Sequence, residues 1–447
     1  MTTGSARALL RRLGQCLDTF STCFTRQPQR AAASQYLDAL FNDSERKSMQ
    51  AMHGRLSDPG SYEALQHFIT DSPWQAERVW AHLRTVVPAR TGLLALDDTG
   101  FPKQGTRSVG VQRQYCGALG KIGNCQVAVS SALLADGQTW PLTFELYLPQ
   151  TWMADPVRRE AAGIPPTARF REKWRIALAH VRTVLKAGFT RTGVLVDADY
   201  GSNARFRDGL ERLGLVYGVA IRGDLAFVTA GARRTRTAAA ISAAVPPGTW
   251  QLVTREADPT GPVPAWFTAV RVREPKGRGD RWLLCERSDQ DLRKFYLLNL
   301  AATATLTDLV TLARSRWPIE QQYRDLKDDL GLDHFEGRSY RGWHHHVVLT
   351  AVAFTFLQLE RARGTVTLRP TLPIVRGWVR EIFGLLYVIH SRRLLGMLQS
   401  FQRNPPLRRW WSRPQSAVPD ERTSSLSSNR TCGFPAYGFP RCSPCKP

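Results

Sequence analysis

Residues 93–105 read Leu93-Leu94-Ala95-Leu96-Asp97-Asp98-Thr99-Gly100-Phe101-Pro102-Lys103-Gln104-Gly105, and this stretch decides the fold. Four consecutive apolar residues without helical spacing predict a buried strand, which here stops abruptly at two acids. Residues 126–134 and 139–148 read as two further strands, joined across Asp136-Gly137, a strong hairpin-turn dipeptide. An amphipathic helix over about 170–187 and a short apolar strand over 193–196 follow. That strand runs into Asp197-Ala198-Asp199-Tyr200-Gly201, and a helix (203–213) and a fifth strand (215–221) complete the series. The order is β, β, β, α, β, α, β, with acids directly after the first and fourth strands. In open α/β sheets ligands gather at the carboxyl ends of strands. If those two strands are neighbours, Asp98 and Asp197 emerge side by side.

A third acid lies far downstream. Residues 306–330 have helical periodicity, with Gly331 well placed to cap them. Within them, Arg314-Ser315-Arg316-Trp317-Pro318-Ile319-Glu320-Gln321-Gln322-Tyr323-Arg324-Asp325-Leu326-Lys327 carries Glu320. Positions four before and seven after a helical residue share its face, so Arg316 and Lys327 flank Glu320, with Tyr323 and Arg324 close to the same stripe. Pro318 allows a kink or a helix start there. Cutting a phosphodiester needs an activated oxygen, a stabilised leaving oxygen and neutralised charge at phosphorus. Two divalent cations roughly 3.5–4 Å apart supply all three when carboxylates on rigid elements hold them.

Charge points to the same chemistry. The 447 residues carry 61 Lys plus Arg against 38 Asp plus Glu, a net of +23. A pI near 10.3 predicts a polyanionic partner, nucleic acid first and an anionic membrane surface second. Residues 1–90 hold 11 basic and 8 acidic residues, only +3, whereas residues 338–413 hold 13 Arg, no Lys and two Glu, a net of +11. Arginines alternating with apolar and aromatic residues favour phosphate contact over a solvated helix face. The longest apolar run, 347–359, is shorter than the ~20 residues of a membrane span. Residues 1–12 lack the apolar core of a secretory signal. A soluble, cytoplasmic protein without membrane contact is expected.

Several other signals are weaker. Cys16, Cys23, Cys116, Cys125 and Cys285 read as reduced packing residues, and Cys432, Cys442 and Cys445 have half the spacing of a zinc ribbon without a fourth ligand. His344-His345-His346 cannot converge on one ion from adjacent helical positions, so a helix-start cluster near DNA is expected instead. Gly117 to Lys121 lacks phosphate-loop spacing. Trp250, Trp266 and Trp282, with Arg233, Arg234 and Arg236 nearby in sequence, read as core residues or as a surface able to stack a flipped base.

The segment from Leu96 to Gly105, continued by Ser108-Val109-Gly110-Val111-Gln112-Arg113-Gln114-Tyr115 and Asn124-Cys125-Gln126, resembles the first signature of bacterial insertion-sequence transposases of the DDE superfamily, of the seven-hundred-one type. Val196 to Gly201 resembles their second signature. Trp317 to Lys327, with Gly331-Leu332-Asp333-His334-Phe335-Glu336 and Gly342-Trp343-His344, resembles the third. The likeness runs from about Tyr36 to about Leu359. It implies an α/β fold with an RNase H-like catalytic core interrupted by a β-rich insertion and preceded by a helical N-terminal domain. It further implies Mg²⁺-dependent cleavage and strand transfer, with Mn²⁺ as a substitute. Asp98, Asp197 and Glu320 would be the metal-binding catalytic triad, and Arg316, Tyr323, Arg324 and Lys327 would contact DNA. Related transposases carry Tyr, Arg, Glu and Lys around the last acid; here Ala313 stands at the Tyr position. Asp97 is the rival to Asp98, and Asp199 the rival to Asp197.

The expected organisation is a helical DNA-binding domain (1–90), the first part of the core (91–221), the β-rich insertion (222–304), the catalytic Glu helix (305–361), basic C-terminal helices (362–403) and a disordered tail (404–447). The expected partner is double-stranded DNA, both transposon ends and target, engaged by a homodimer at the nucleoid. Two alternatives stay open: a DNA-binding relic whose C-terminus came from a shifted frame, and a nuclease without a joining step.

Overall fold

The structure, a computed structural model, describes residues 3–190, 193–253, 264–275, 277, 279–288, 293–363 and 371–403. The chain divides into two units, residues 1–392 and 393–447, and the fold and site below belong to the first.

Strand β1 (Leu93–Pro102) lies inside the sheet, in the part that also holds β2 (Gln112–Cys116), β3 (Lys121–Ala135), β4 (Gln138–Leu146), β5 (Gly193–Val196) and β6 (Tyr217–Ile221). It runs antiparallel to β3, with Asp97 opposite Ser130 and Asp98 opposite Val129. On its other edge it runs parallel to β5, Ala95 level with Leu195, and β6 continues in parallel beyond β5. Both faces of β1 are covered, which is why its apolar residues are consecutive instead of alternating. The β3–β4 hairpin turns on Asp136 (φ 52°) and Gly137 (φ 71°), as the dipeptide predicts. Strand β2 escaped the sequence reading because Gln112-Arg113-Gln114-Tyr115-Cys116 has no apolar alternation.

Strands β7 (Ala226–Thr229), β8 (Arg236–Thr237), β9 (Gln251–Val253), β10 (Ala265–Arg273), β11 (Arg281–Arg287) and β12 (Arg293–Leu298) lie within residues 222–304. They prolong the core sheet: β12 pairs with β6, and β11 and β10 follow outward. Trp250 is buried, and Trp282 is half-buried with its indole N–H on the Ala301 carbonyl at 3.0 Å.

Five helices precede the sheet: α1 (Thr3–Thr19), α2 (Gln27–Phe41), α3 (Met49–His53), α4 (Tyr62–Thr70) and α5 (Ala76–Val86). After β4 come α6 (Gln150–Met153), α7 (Pro156–Ala161), α8 (Lys173–Lys186), α9 (Ala198–Gly201), α10 (Ala204–Arg212) and α11 (Ala238–Ala243). The late helices are α12 (Leu306–Arg314), α13 (Pro318–Leu330), α14 (Tyr340–Ala362) and α15 (Leu372–Arg403). One helix over 306–330 was expected, and two are found. Pro318 lacks the N–H that a continuing helix would need and instead starts α13, while Gly331 (φ 66°) caps its end.

Helix α14 is buried on nearly every side, as its all-round apolar sequence requires. It joins the N-terminal helices to the sheet in a shared core. Tyr36 donates its hydroxyl to His346 Nδ1 at 2.7 Å, and the Gln358 amide donates to the Thr139 carbonyl at 3.1 Å. Arg12 pairs with Glu360 at 2.5 Å. Among the described residues no helix is long and apolar enough to cross a membrane. Residues 404–447, including Cys432, Cys442 and Cys445, lie outside the described residues.

Candidate active site

Neighbouring residues of a strand point to opposite faces, so Asp97 and Asp98 enter different surroundings. Asp97 is buried. One carboxylate oxygen accepts the Asp98 N–H at 2.8 Å and the other is ion-paired with Arg316. Burial pushes its pKa up to about 7; Arg316 opposes that rise, while the charges of Asp197 and Asp98 add to it. Asp98 is more open, its side chain 23% exposed against 12% for Asp97. Lys173 Nζ on α8 lies 2.5 Å from one Asp98 oxygen, and the Tyr200 hydroxyl donates to the other.

Asp197 ends β5 and caps α9, accepting the backbone N–H groups of Asp199 at 3.1 Å and Tyr200 at 3.2 Å. Burial raises its pKa, with Asp98 and Asp199 adding to the rise. The strand expected to stop at the two acids runs on to Pro102, because β3 pairs with it along its whole length; the register still brings Asp97 and Asp98, in the middle of β1, beside Asp197, directly after the parallel strand β5. Asp199 points away, paired with Arg222 at the surface. Gly201 is required here for space: a Cβ would fall 1.9 Å from the Ala220 carbonyl oxygen of β6.

Glu320 sits in the first turn of α13 with its side chain 48% exposed. Arg316, in the link before α13, reaches Glu320 Oε1 at 2.6 Å with one nitrogen and Asp97 with the other. The third acid is thus tied to β1 through a guanidinium. Among the described residues there is no group of three or more His, Cys, Asp or Glu side chains that could hold a metal ion. The donors present still fit Mg²⁺, which binds hard oxygens through one or two carboxylates and completes its shell with water and substrate phosphate. Asp98 and Asp197 supply such a pair, and a cation would relieve the repulsion between them.

Four residues were expected to touch DNA, and the structure treats them differently. Arg316 is engaged as described. Arg324 is exposed. Lys327 Nζ donates to the Gly100 carbonyl at 2.8 Å, and burial lowers its pKa. Tyr323 is 8% exposed, with its hydroxyl hydrogen-bonded to Ser130 Oγ at 2.6 Å, and it seats α13 on the sheet. Ala313 is likewise buried, among Leu309, Val310 and Leu298. Lys173 and Tyr200 went unnoticed in the sequence. Only Tyr200, three residues after Asp197, carried a local signal.

The three histidines are structural. His346 bridges Tyr36 and the Gly331 carbonyl, and His345 bridges the Ile69 and Trp74 carbonyls while stacked on the Trp74 ring. His344 Nδ1 meets the Tyr340 carbonyl at 2.9 Å. Several arginines of the basic stretch also serve inside the protein: Arg363 pairs with Glu360, Arg376 with Asp329, and Arg341 donates to the Asp71 carbonyl.

Residues 19–267 match the family model described as DDE superfamily endonuclease, a span that includes Asp98 and Asp197 and stops short of Glu320. Over 193 residues the chain is 34% identical to the "Probable transposase for insertion sequence element IS701" of Microchaete diplosiphon, covering 41% of this chain and 47% of that protein. The chain thus spans about half the length of this curated relative. Among solved structures it is similar to the cryo-EM structure of the piggyBac transposase synaptic complex with hairpin DNA, at a TM-score of 0.42 and 10% identity, covering 86% of this chain and 75% of that one.

Proposed function

The chain belongs to the DDE superfamily endonuclease family, and from that premise we propose that it is an insertion-sequence transposase that cuts and joins DNA at the terminal inverted repeats of its element. The observation that carries this reading is the closeness of Asp98, within β1, to Asp197, directly after the adjacent parallel strand β5, with Glu320 tied to the neighbouring Asp97 by Arg316. The strand order β4-β3-β1-β5-β6, three antiparallel strands followed by two parallel ones, supports an RNase H-like core.

In this reading Asp98, Asp197 and Glu320 are the metal ligands. Asp98 is preferred to Asp97 because its carboxylate is the more open. Divalent ions bound there, Mg²⁺ or Mn²⁺ in its place, would neutralise charge at phosphorus and activate the attacking oxygen. The protein's own part is to orient. Lys173 and Tyr200 fix Asp98, the α9 N–H groups fix Asp197, Lys327 holds α13 to the Gly100 carbonyl of β1, and Arg324 on α13 presents positive charge to DNA phosphates. Water attacks the phosphodiester and the 3′-oxygen leaves as a hydroxyl. That hydroxyl then attacks target DNA, a new P–O bond replacing the one broken. Two copies of the chain would hold the two ends together.

The test uses linear duplex DNA carrying the element's terminal repeats, incubated with the full chain. Cleavage leaving a 3′-hydroxyl, joining to a second duplex, and loss of both with EDTA are expected. Cleavage without joining would reduce the protein to a nuclease. Binding without cleavage in Mg²⁺ or Mn²⁺ would mark a non-catalytic DNA-binding protein.

A further inference from the structure

Asp97, Arg316 and Glu320 form a line of alternating charge from β1 to α13. We propose that Asp97 is a positioning residue for Glu320: its buried carboxylate anchors the Arg316 guanidinium, which fixes the direction of the Glu320 carboxylate. This deepens the reading of Glu320 as a metal ligand and rests on it.

Three features carry the inference. Arg316 lies in the short link between α12 and α13, where a long side chain has no helix to direct it, yet its side chain is only 25% exposed because a carboxylate holds each edge of the fork. A planar guanidinium with separate N–H edges suits two acids at once, which an ammonium would not. Glu320, 48% exposed in a first helical turn, has Arg316 at Oε1, which leaves Oε2 for an ion. Asp97 has one oxygen on the Asp98 N–H and the other on Arg316, so its lone pairs are directed into the protein. The adjacent acids Asp97 and Asp98 thereby divide their work: one sets the position of the distant carboxylate, and the other faces the ion.

The experiment measures Mn²⁺ binding to the full chain by electron paramagnetic resonance without DNA, and backbone hydrogen exchange over 315–322 without metal. The variants are Asp97→Asn, Asp98→Asn, Glu320→Gln and the double variant Asp97→Asn/Glu320→Gln. Asp97→Asn is expected to weaken Mn²⁺ binding about tenfold and to speed exchange in the first turn of α13. The double variant should bind no more weakly than Glu320→Gln alone, because the two act through one group. Additive losses in the double variant would make Asp97 a direct ligand and overturn the proposal. Unchanged affinity and exchange in Asp97→Asn would overturn it as well. If Asp98→Asn and Glu320→Gln both leave Mn²⁺ binding intact, the metal reading itself fails, whereas the exchange result still decides whether Asp97 holds α13. Should Asp97→Asn not fold, Arg316→Gln cuts the same link and is held to the same outcomes.

Discussion

The hydroxyls of Tyr323 and Ser130 meet at 2.6 Å, binding α13 to the residue of β3 that stands opposite Asp97 across the sheet. The contact locks the helix carrying Glu320 at a fixed height over β1. Removing the phenolic oxygen in Tyr323→Phe leaves the buried Ser130 hydroxyl unpaired. A loss of about 1–3 kcal/mol in unfolding free energy is expected, read by urea denaturation, with affinity for transposon-end DNA unchanged.

Arg324 lies one residue further along and is exposed. If it contacts a phosphate, Arg324→Ala lowers the slope of log affinity against log salt by about 0.9. Tyr323→Phe should leave that slope alone. Titrations of the terminal-repeat DNA at several salt concentrations check both, and equal slopes for Arg324→Ala and wild type would remove Arg324 from the interface.

The turn after β5 has no room for a side chain at residue 201, because the Ala220 carbonyl oxygen would lie 1.9 Å from a new Cβ. Gly201→Ala must push α9 off β6, at a cost of about 1–3 kcal/mol. The shift also disturbs Asp197, which caps α9, so weaker Mn²⁺ binding should accompany the lower melting temperature.

Acid should loosen the link between α2 and α14. Burial lowers the His346 pKa from 6.5 to about 4, so the folded ring stays neutral where the unfolded one takes up a proton. The unfolded state binds more protons in that window, and stability therefore falls as pH drops from about 6.5 to about 4, by about 3 kcal/mol. In His346→Gln the dependence over this window should flatten by about one proton, as measured by denaturant unfolding at successive pH values.

Much of the site was legible in the sequence because it is built from local signals. The apolar run before Asp98, the short strand before Asp197 and the turn dipeptide Asp136-Gly137 each fixed their own element. The break at Pro318 was visible as a choice between kink and start, and tertiary packing decided it. What stayed hidden depended on distant partners. Lys173 and Asp98 are 75 residues apart, and nothing in the helical pattern of α8 marks its lysine for that carboxylate. Tyr323 shares the helix stripe of Glu320, yet Ser130 and Phe144 bury it. Strand β2, polar and short, is stabilised by its neighbour β3 and not by any period of its own.

The central claim is metal-dependent strand cleavage by Asp98, Asp197 and Glu320. Its most direct test compares wild type with Glu320→Gln on duplex DNA carrying the terminal repeats, with gel-shift binding measured on the same samples. Both should bind the ends alike in Mg²⁺, while cleavage by the variant falls to the level seen with EDTA. Cleavage by Glu320→Gln at the wild-type rate would contradict it.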